Sequence, residues 1–329
     1  MSIIVKKFGG TSVGDTTKIK NVAKRIVGSI EKGNQVVVAV SAMGGTTDKL
    51  VALAHEVSPS PLERELDMLL STGEQVSIAL LAMAVSDLGY EAISLTGNQV
   101  GILTDGFYSN ARIVSINNQR ILDELKMGKV VILAGFQGVT IDGEITTLGR
   151  GASDTTAVAI AASLNADRCE IYTDVDGIYT ADPRIVKSAR KLDRITHDEM
   201  LEMAGLGAKV LHSRSVELAK KFQVPLMVRS SFHEGDGTII VKESEIMEQV
   251  VVSGVTSNKD QAKISLIGIE DKPGVAAEIF NIVAEQHINI DMIIQNVGRD
   301  GTTDPVSYTH LRAHETLRYI VCRLLLEKK

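Results

Sequence analysis

The chain has 329 residues, 44% of them apolar and 23% charged, with a net charge of −6. That length holds about two domains, and the acidic balance leaves no electrostatic footprint for nucleic acid or an anionic membrane. No apolar run approaches the ~20 residues of a membrane span, the N-terminus lacks a signal-peptide pattern, and Cys169 and Cys322 make neither a disulfide framework nor a thiolate metal site, so a cytoplasmic protein is expected.

The apolar run Ile3-Ile4-Val5 leads into "KKFGGTSVGD" at 6–15. A strand, a glycine turn and a helix start in that order suit an anion. Ile19, Val22, Ala23, Ile26, Val27 and Ile30 recur at helical spacing, so 16–31 reads as an amphipathic helix with Asp15 or Thr16 as its cap. "QVVVAV" at 35–40 is a continuous β-branched run, expected of a strand buried on both faces. Helical patterns follow at about 62–88, 117–127, 154–166 and 206–222, with strands at 91–95, 129–135, 169–174 and 225–229. This alternation predicts an α/β fold with a mainly parallel sheet. At 233–250 the texture turns polar and charged, which predicts a linker. A smaller α+β unit starts at 251, with a helix at 274–286 and a strand at 288–297, and nothing after 304 reads as its remaining strands. Residues 305–329 are similar to a translated transposon-type sequencing adapter and are expected to be non-native. His310 and His314 beside Glu315, and Cys322, are discounted with them, and no metal site is expected.

Four loops concentrate chemistry. Lys7 stands at the end of the first strand, before Gly9 and Gly10, whereas a Walker loop carries its lysine after the glycines. Glycines without Cβ let backbone N–H groups approach phosphate oxygens; a plain turn with a solvated lysine is the competing reading. "SAMGGTTDKL" at 41–50 is a second small-residue loop after a buried strand, with hydroxyls at Thr46 and Thr47. "TLGRGASDTTA" at 147–157 sets Arg150, a fork donor for a carboxylate or phosphate, between two glycines. Ser153 or Asp154 there is alternatively a plain helix N-cap. "YTDVDGIYTADPR" at 172–184 is rich in aspartate, but its spacing is wrong for a calcium hand.

Together "KFGGTSV", "STGEQVS", "GRGASDTTA", "YTDVDGIYTADPR" and "GAKVLHSRSVELA" resemble the aspartokinases of the amino acid kinase family, from residue 3 to about 304. The resemblance implies an α/β/α sandwich over 1–232, a linker at 233–250 and a partial first ACT regulatory domain at 251–304. It implies transfer of the ATP γ-phosphoryl group to the 4-carboxylate of L-aspartate, the first step of lysine, threonine and methionine biosynthesis. Lys7, Phe8, Gly9 and Gly10 would hold ATP phosphates, Lys209 beside Val210 would be a second cation, and Asp154 would orient the lysines. Thr173, Asp174, Tyr179 and Arg184 would line the nucleotide pocket, and Mg2+ would arrive with ATP. Ser41, Thr47, Glu74, Arg150, Ser153 and Asp154 would hold aspartate, Glu74 meeting the α-ammonium and Arg150 a carboxylate. Asn289, Ile290, Gln295 and Asn296 match effector-facing positions for lysine or threonine, and ACT pairing implies a homo- or hetero-oligomer. Met247 matches a possible internal start of a separate regulatory subunit. Ala152 departs from the family, which usually has glycine there; a methyl is tolerable only at negative φ. A β-carboxylate of pKa ~4 is already ionised at pH 7, so no general base is required, and His212 reads as structural. The alternatives are a glutamate, acetylglutamate or UMP kinase of the same fold, or a non-catalytic amino acid sensor.

Overall fold

The β-branched runs become parallel strands and the periodic stretches become helices that cover them. β1 (Ile3–Phe8) feeds α1 (Thr16–Ile30), whose cap is Asp15, its carboxylate accepting from Lys18 N at 2.8 Å. Then come β2 (Gln35–Val40), α2 (Thr46–Val57), α3 (Glu63–Ser86) and β3 (Ala92–Leu95). β4 (Ile102–Thr104), β5 (Ile113–Ile116), α4 (Gln119–Lys126), β6 (Val130–Ala134), β7 (Gln137–Val139) and β8 (Ile145–Thr147) follow. α5 (Ser153–Ser163), β9 (Arg168–Thr173), β10 (Arg194–Thr196), α6 (His197–Gly205), α7 (Ser213–Phe222), β11 (Leu226–Ser230) and β12 (Thr238–Val241) complete the first of two units, residues 1–256. This computed structural model describes residues 2–149, 151–208, 210–242, 252–257, 261–285, 290, 292–295 and 301–310.

Eight strands form one sheet in the order β10-β12-β11-β9-β1-β2-β6-β3. All its pairs are parallel except β11 with β12. Alternate side chains face opposite layers. Val5, Val37, Ala39, Leu133 and Ile171 pack against α5 and α7, and Phe8, Val38, Val40 and Ile132 pack against α1 and α3. Burying each Val, Leu, Ile or Phe among them stabilises the fold by about 1.5–3 kcal/mol before chain entropy is set against it. A second sheet, β5-β4-β7-β8, lies beside α3. α3 is long and apolar enough to cross a membrane by length and composition alone. Its buried face nevertheless carries Asp67 and Glu74, as a core helix with polar duties.

In the second unit, residues 257–329, β13 (Gln261–Ser265), β14 (Ile269–Glu270), α8 (Val275–Glu285), β15 (Met292–Ile294), β16 (Thr302–Thr303) and β17 (Val306–His310) are described. β17 lies between β13 and β15 and is antiparallel to both, and β14 pairs with β16.

Four expectations are corrected. Thr46 and Thr47 open α2 rather than belonging to a loop. The helix read at 206–222 begins only at Ser213, as α7, and a helix not read from the sequence, α6, ends before it at Gly205. Part of the expected linker is β12, because Thr238, Ile239, Ile240 and Val241 are all β-branched and pair with β10 and β11. Residues 306–310, read as the start of the tail, form β17, since Val306, Tyr308 and Thr309 are strand formers. His314, Glu315 and Cys322 lie outside the described residues.

Candidate active site

The parallel strands end together, and backbone hydrogen bonds join their ends: Ser41 N to Phe8 O at 3.1 Å, Gly135 N to Val40 O at 2.9 Å, and Ser231 N to Thr173 O at 2.8 Å. The loops after β1, β2 and β9 leave from this carboxyl edge, where open α/β sheets bind ligands; 147–157 follows β8 of the second sheet and meets the edge through the Ser41–Ser153 hydrogen bond.

Lys7 shares the period-2 face of Val5 and so points toward α5. Its Nζ lies 2.7 Å from Oδ1 of Asp154, an ion pair rather than an aligned hydrogen bond, with the side chains only 13% and 8% exposed. Asp154 Oδ2 accepts from His212 N at 3.3 Å. One residue earlier, Ser153 Oγ accepts from Ser41 Oγ at 2.9 Å. Neither Ser153 nor Asp154 caps α5; Ala152 occupies that position without a side-chain bond. The glycine loop and the 41–45 loop touch backbone to backbone. A Cβ on Gly10 would stand 2.9 Å from Ala42 O, so a side chain there would part them.

Ala42 N donates to Glu74 Oε1 at 3.0 Å, while Glu74 Oε2 is buried and has no partner. Burial pushes the Glu74 carboxyl up to about 7, outweighing the backbone hydrogen bonds that favour its ionised form. Contacts thus run unbroken from Glu74 through Ala42, Ser41, Ser153 and Asp154 to Lys7. One end presents a carboxylate oxygen in need of a cation, and the other presents a cation beside the N-terminus of α5.

Ala152 has φ −76°, so its methyl is unstrained, and it is fully buried against Leu70, Phe136 and Leu148. The positive φ falls instead on the flanking glycines, Gly149 at 88° and Gly151 at 76°. Gly151 also faces His212, whose ring carbon would be 2.9 Å from an added Cβ. Burial lowers the His212 pKa, with Asp154 opposing. Phe136 carries φ 71° without being glycine. Its N donates to Thr156 Oγ1 at 3.0 Å and its carbonyl accepts from Leu148 N at 2.8 Å, which holds the strained backbone in place.

Thr47 is half-buried in the first turn of α2. Phe8 stacks on Tyr172 with centroids 4.6 Å apart, and so supports the strand end from the opposite face. Thr173 closes β9 and donates to Asp174 at 3.1 Å. Tyr179 donates to Asp176 at 2.8 Å, and the exposed Arg184 is forked onto Asp182 at 3.0 and 2.9 Å, so both are engaged locally along the 174–190 loop. Val210 is half-buried before α7. Arg150, Lys209, Asn289 and Asn296 lie outside the described residues. In the second unit Ile290 is half-buried, and Gln295 follows β15, exposed.

Two supports were missed in the sequence. Asp67, fully buried, accepts from Thr147 N and Oγ1 at 2.8 and 2.6 Å and from Ser109 N at 2.9 Å, which pins α3 to β8. Burial raises its pKa against the effect of those bonds. Arg214 of α7 donates to Leu148 O at 3.0 Å and Ala111 O at 2.8 Å, and so fixes the strand that leads into 149–154.

A profile of the amino acid kinase family matches residues 2–230, and one of the ACT domain matches 264–318. The aspartokinase of Pseudomonas aeruginosa is 55% identical over 306 residues, 92% of this chain and 74% of that protein. The aspartokinase of Geobacillus stearothermophilus is 55% identical over 302 residues, again 92% and 74%. The crystal structure of E. coli aspartokinase III in complex with aspartate and ADP matches with a TM-score of 0.82 at 27% identity, over 94% of this chain and 79% of that one. The aspartate kinase from Synechocystis matches with a TM-score of 0.67 at 48% identity over 93% of this chain, which spans 52%, about half, of that chain's length. With its glycine loop, its buried Lys7–Asp154 pair and more than nine-tenths of its length aligned to these relatives, the chain belongs to the amino acid kinase family, among the aspartokinases.

Proposed function

We propose that this chain transfers the γ-phosphoryl group of ATP to the 4-carboxylate of L-aspartate, giving 4-phospho-L-aspartate and ADP. The observation that carries the aspartate reading is Glu74 Oε2, a buried carboxylate oxygen without a partner, placed to receive an α-ammonium group. Arg150, on the loop before α5, takes a substrate carboxylate as a bidentate fork. Thr47, Ser41 and Ser153 complete the polar wall, and the Ser41–Ser153 hydrogen bond holds the two loops at a fixed separation.

The nucleophile is already an anion, so the work left to the protein is to bring two anions together and neutralise the charge that moves to the leaving phosphate. Lys7 does this from the strand end, held by Asp154 before substrate arrives, with Lys209 as a second cation. Gly9 and Gly10 admit the phosphates to the backbone N–H groups. Thr173, Asp174, Tyr179 and Arg184 border the nucleoside; the Arg184–Asp182 pair is exposed and easily exchanged for a phosphate contact. Mg2+, when bound, would offset phosphate charge and is read as arriving on the ATP phosphates.

The ACT unit is read as regulatory, with Ile290 and Gln295 among the residues facing a lysine or threonine effector and with pairing to another ACT unit. E. coli aspartokinase III has been solved with lysine and aspartate. A cytoplasmic location is inferred along with the biosynthetic role. The test is a split of kinetic constants: Glu74→Gln is expected to raise the aspartate KM and spare the ATP KM, whereas Lys7→Ala is expected to lower kcat. Equal effects on both KM values in Glu74→Gln would remove the aspartate assignment.

A further inference from the structure

The two faces of the central sheet differ in charge at their carboxyl edge. The Lys7–Asp154 site lies on the α5 face. On the α1 face a cavity of about 300 Å³ opens between α1 and the turn that follows β11. Lys18, Lys24, Arg25 and Phe232 line it, with Ser12 and Ser231 as its inner wall. The Ser12 and Ser231 hydroxyls are 2.5 Å apart, and through Ser12 the glycine loop itself forms part of the cavity wall.

Its cations are placed rather than scattered. Lys18, Asn21, Val22 and Arg25 fall on one stripe of α1, at spacings of three and four. Arg25 donates to His233 O at 3.1 Å, lies 3.5 Å from Glu234 and covers the Tyr172 ring at 5.6 Å, so its guanidinium is fixed at the wall. Lys18 Nζ lies 5.8 Å from the Phe232 centroid and 3.7 Å from Asp15. Lys24 is exposed and has no carboxylate partner among the described residues. Below the cavity, Glu170 is surrounded by Lys6 at 2.7 Å, Arg168 at 2.8 Å and Arg229 at 3.8 Å. Among the described residues the ion pairs of Lys6, Lys18, Arg25, Arg168 and Arg229 go to Asp15, Glu170 and Glu234, and Lys24 has none, in a chain whose net charge is −6. A local excess of positive charge around a concave wall raises the local concentration of anions. The volume is at the small end of ligand cavities, too small for a macromolecule.

We propose that this cavity binds the phosphate group of a small molecule, on the sheet face opposite the catalytic lysine. Lys18 and Lys24 supply charge, Arg25 supplies forked N–H donors, and the Ser12 and Ser231 hydroxyls turn toward the anion. Because Ser12 belongs to the glycine loop, occupancy also sets the position of that loop. Free phosphate and a phosphomonoester share this chemistry.

The test uses the full chain saturated with ADP, so that the nucleotide site is filled. Equilibrium dialysis then measures binding of radiolabelled inorganic phosphate and, separately, of glycerol 3-phosphate; the tighter of the two identifies the source. One added equivalent is expected, weakened at least tenfold in Lys18→Ala and in Lys24→Glu and unchanged in Lys7→Ala. Thermal melts that match the parent would show that the two α1 variants fold. Absence of binding overturns the proposal. So does binding that survives Lys24→Glu but is lost in Lys7→Ala, which would assign the anion to the γ-phosphate position of the catalytic site.

Discussion

Lowering the pH should weaken aspartate binding through Glu74 alone. In the free protein its carboxyl sits at about 7 because burial disfavours the charge, yet an α-ammonium partner requires the ionised form. Substrate binding then releases a proton, and the aspartate KM should scale with one plus the ratio of protonated to ionised Glu74. Between pH 8 and pH 6 that factor grows about tenfold. The ATP KM, which the proposal assigns to Lys7 and the glycine loop, should not follow it. Glu74→Gln keeps an oxygen for Ala42 N but loses the charge. The aspartate KM should rise by about 10–150-fold, the equivalent of one charge-assisted hydrogen bond, and its dependence on pH between 6 and 8 should vanish. Stability should move the other way. The folded state holds this proton more tightly than the unfolded chain, so stability falls as pH rises from 4.5 to about 7 and stays low above. Removing the buried charge should therefore stabilise the substrate-free protein at pH 8 by up to about 3 kcal/mol. Initial rates in a coupled ADP-release assay at pH 6, 7 and 8, with denaturant melts of both proteins, supply all the numbers. A parent aspartate KM that stays flat over this range, or a Glu74→Gln protein less stable at pH 8, would refute the reasoning.

Lys7→Ala should lower kcat by ~10²-fold or more and also lower Tm, because Asp154 is left buried without its cation. Adding Asp154→Asn should restore Tm but not kcat, and recovery of both would contradict the phosphate role. Gly10→Ala should cost about 1–3 kcal/mol and raise both KM values, since its Cβ would meet Ala42 O at 2.9 Å; unchanged kinetics would mean that the two loops need not touch. Asp67→Ala leaves the Thr147 and Ser109 donors unsatisfied and should destabilise the fold by a few kcal/mol in urea melts, with activity per folded molecule little changed.

The central sheet was legible because its strands are continuous β-branched runs, and α1 because six apolar residues keep one helical stripe. The second sheet was not, because β4, β7 and β8 have three residues each, too few for any period to register. β12 was hidden by the polar, glycine-bearing residues before it, and its pairing with β11 is set by the fold rather than by local pattern. At the site, Lys7, the glycines and Asp154 were legible through their motifs, while the Lys7–Asp154 pairing depends on β1 lying beside α5. The burial of Glu74 carried a signal that went unused. Asp67, Leu70, Glu74, Ser77, Ile78 and Leu81 fall on one face of α3, and carboxylates on an apolar stripe mark either a hydrogen-bonded support or a ligand site. Asp67 is the first, and the proposed function makes Glu74 the second.

The most direct test of the phosphotransfer assignment is acceptor choice. The chain is incubated with ATP, Mg2+ and hydroxylamine alongside aspartate, glutamate, N-acetylglutamate, UMP or no acceptor, and the hydroxamate and ADP are both measured. The account predicts aspartyl hydroxamate in step with ADP, little of either with the other acceptors, and loss of both in Lys7→Ala. ADP release in step with glutamate, N-acetylglutamate or UMP, or no aspartate-dependent product from a folded chain, would contradict it.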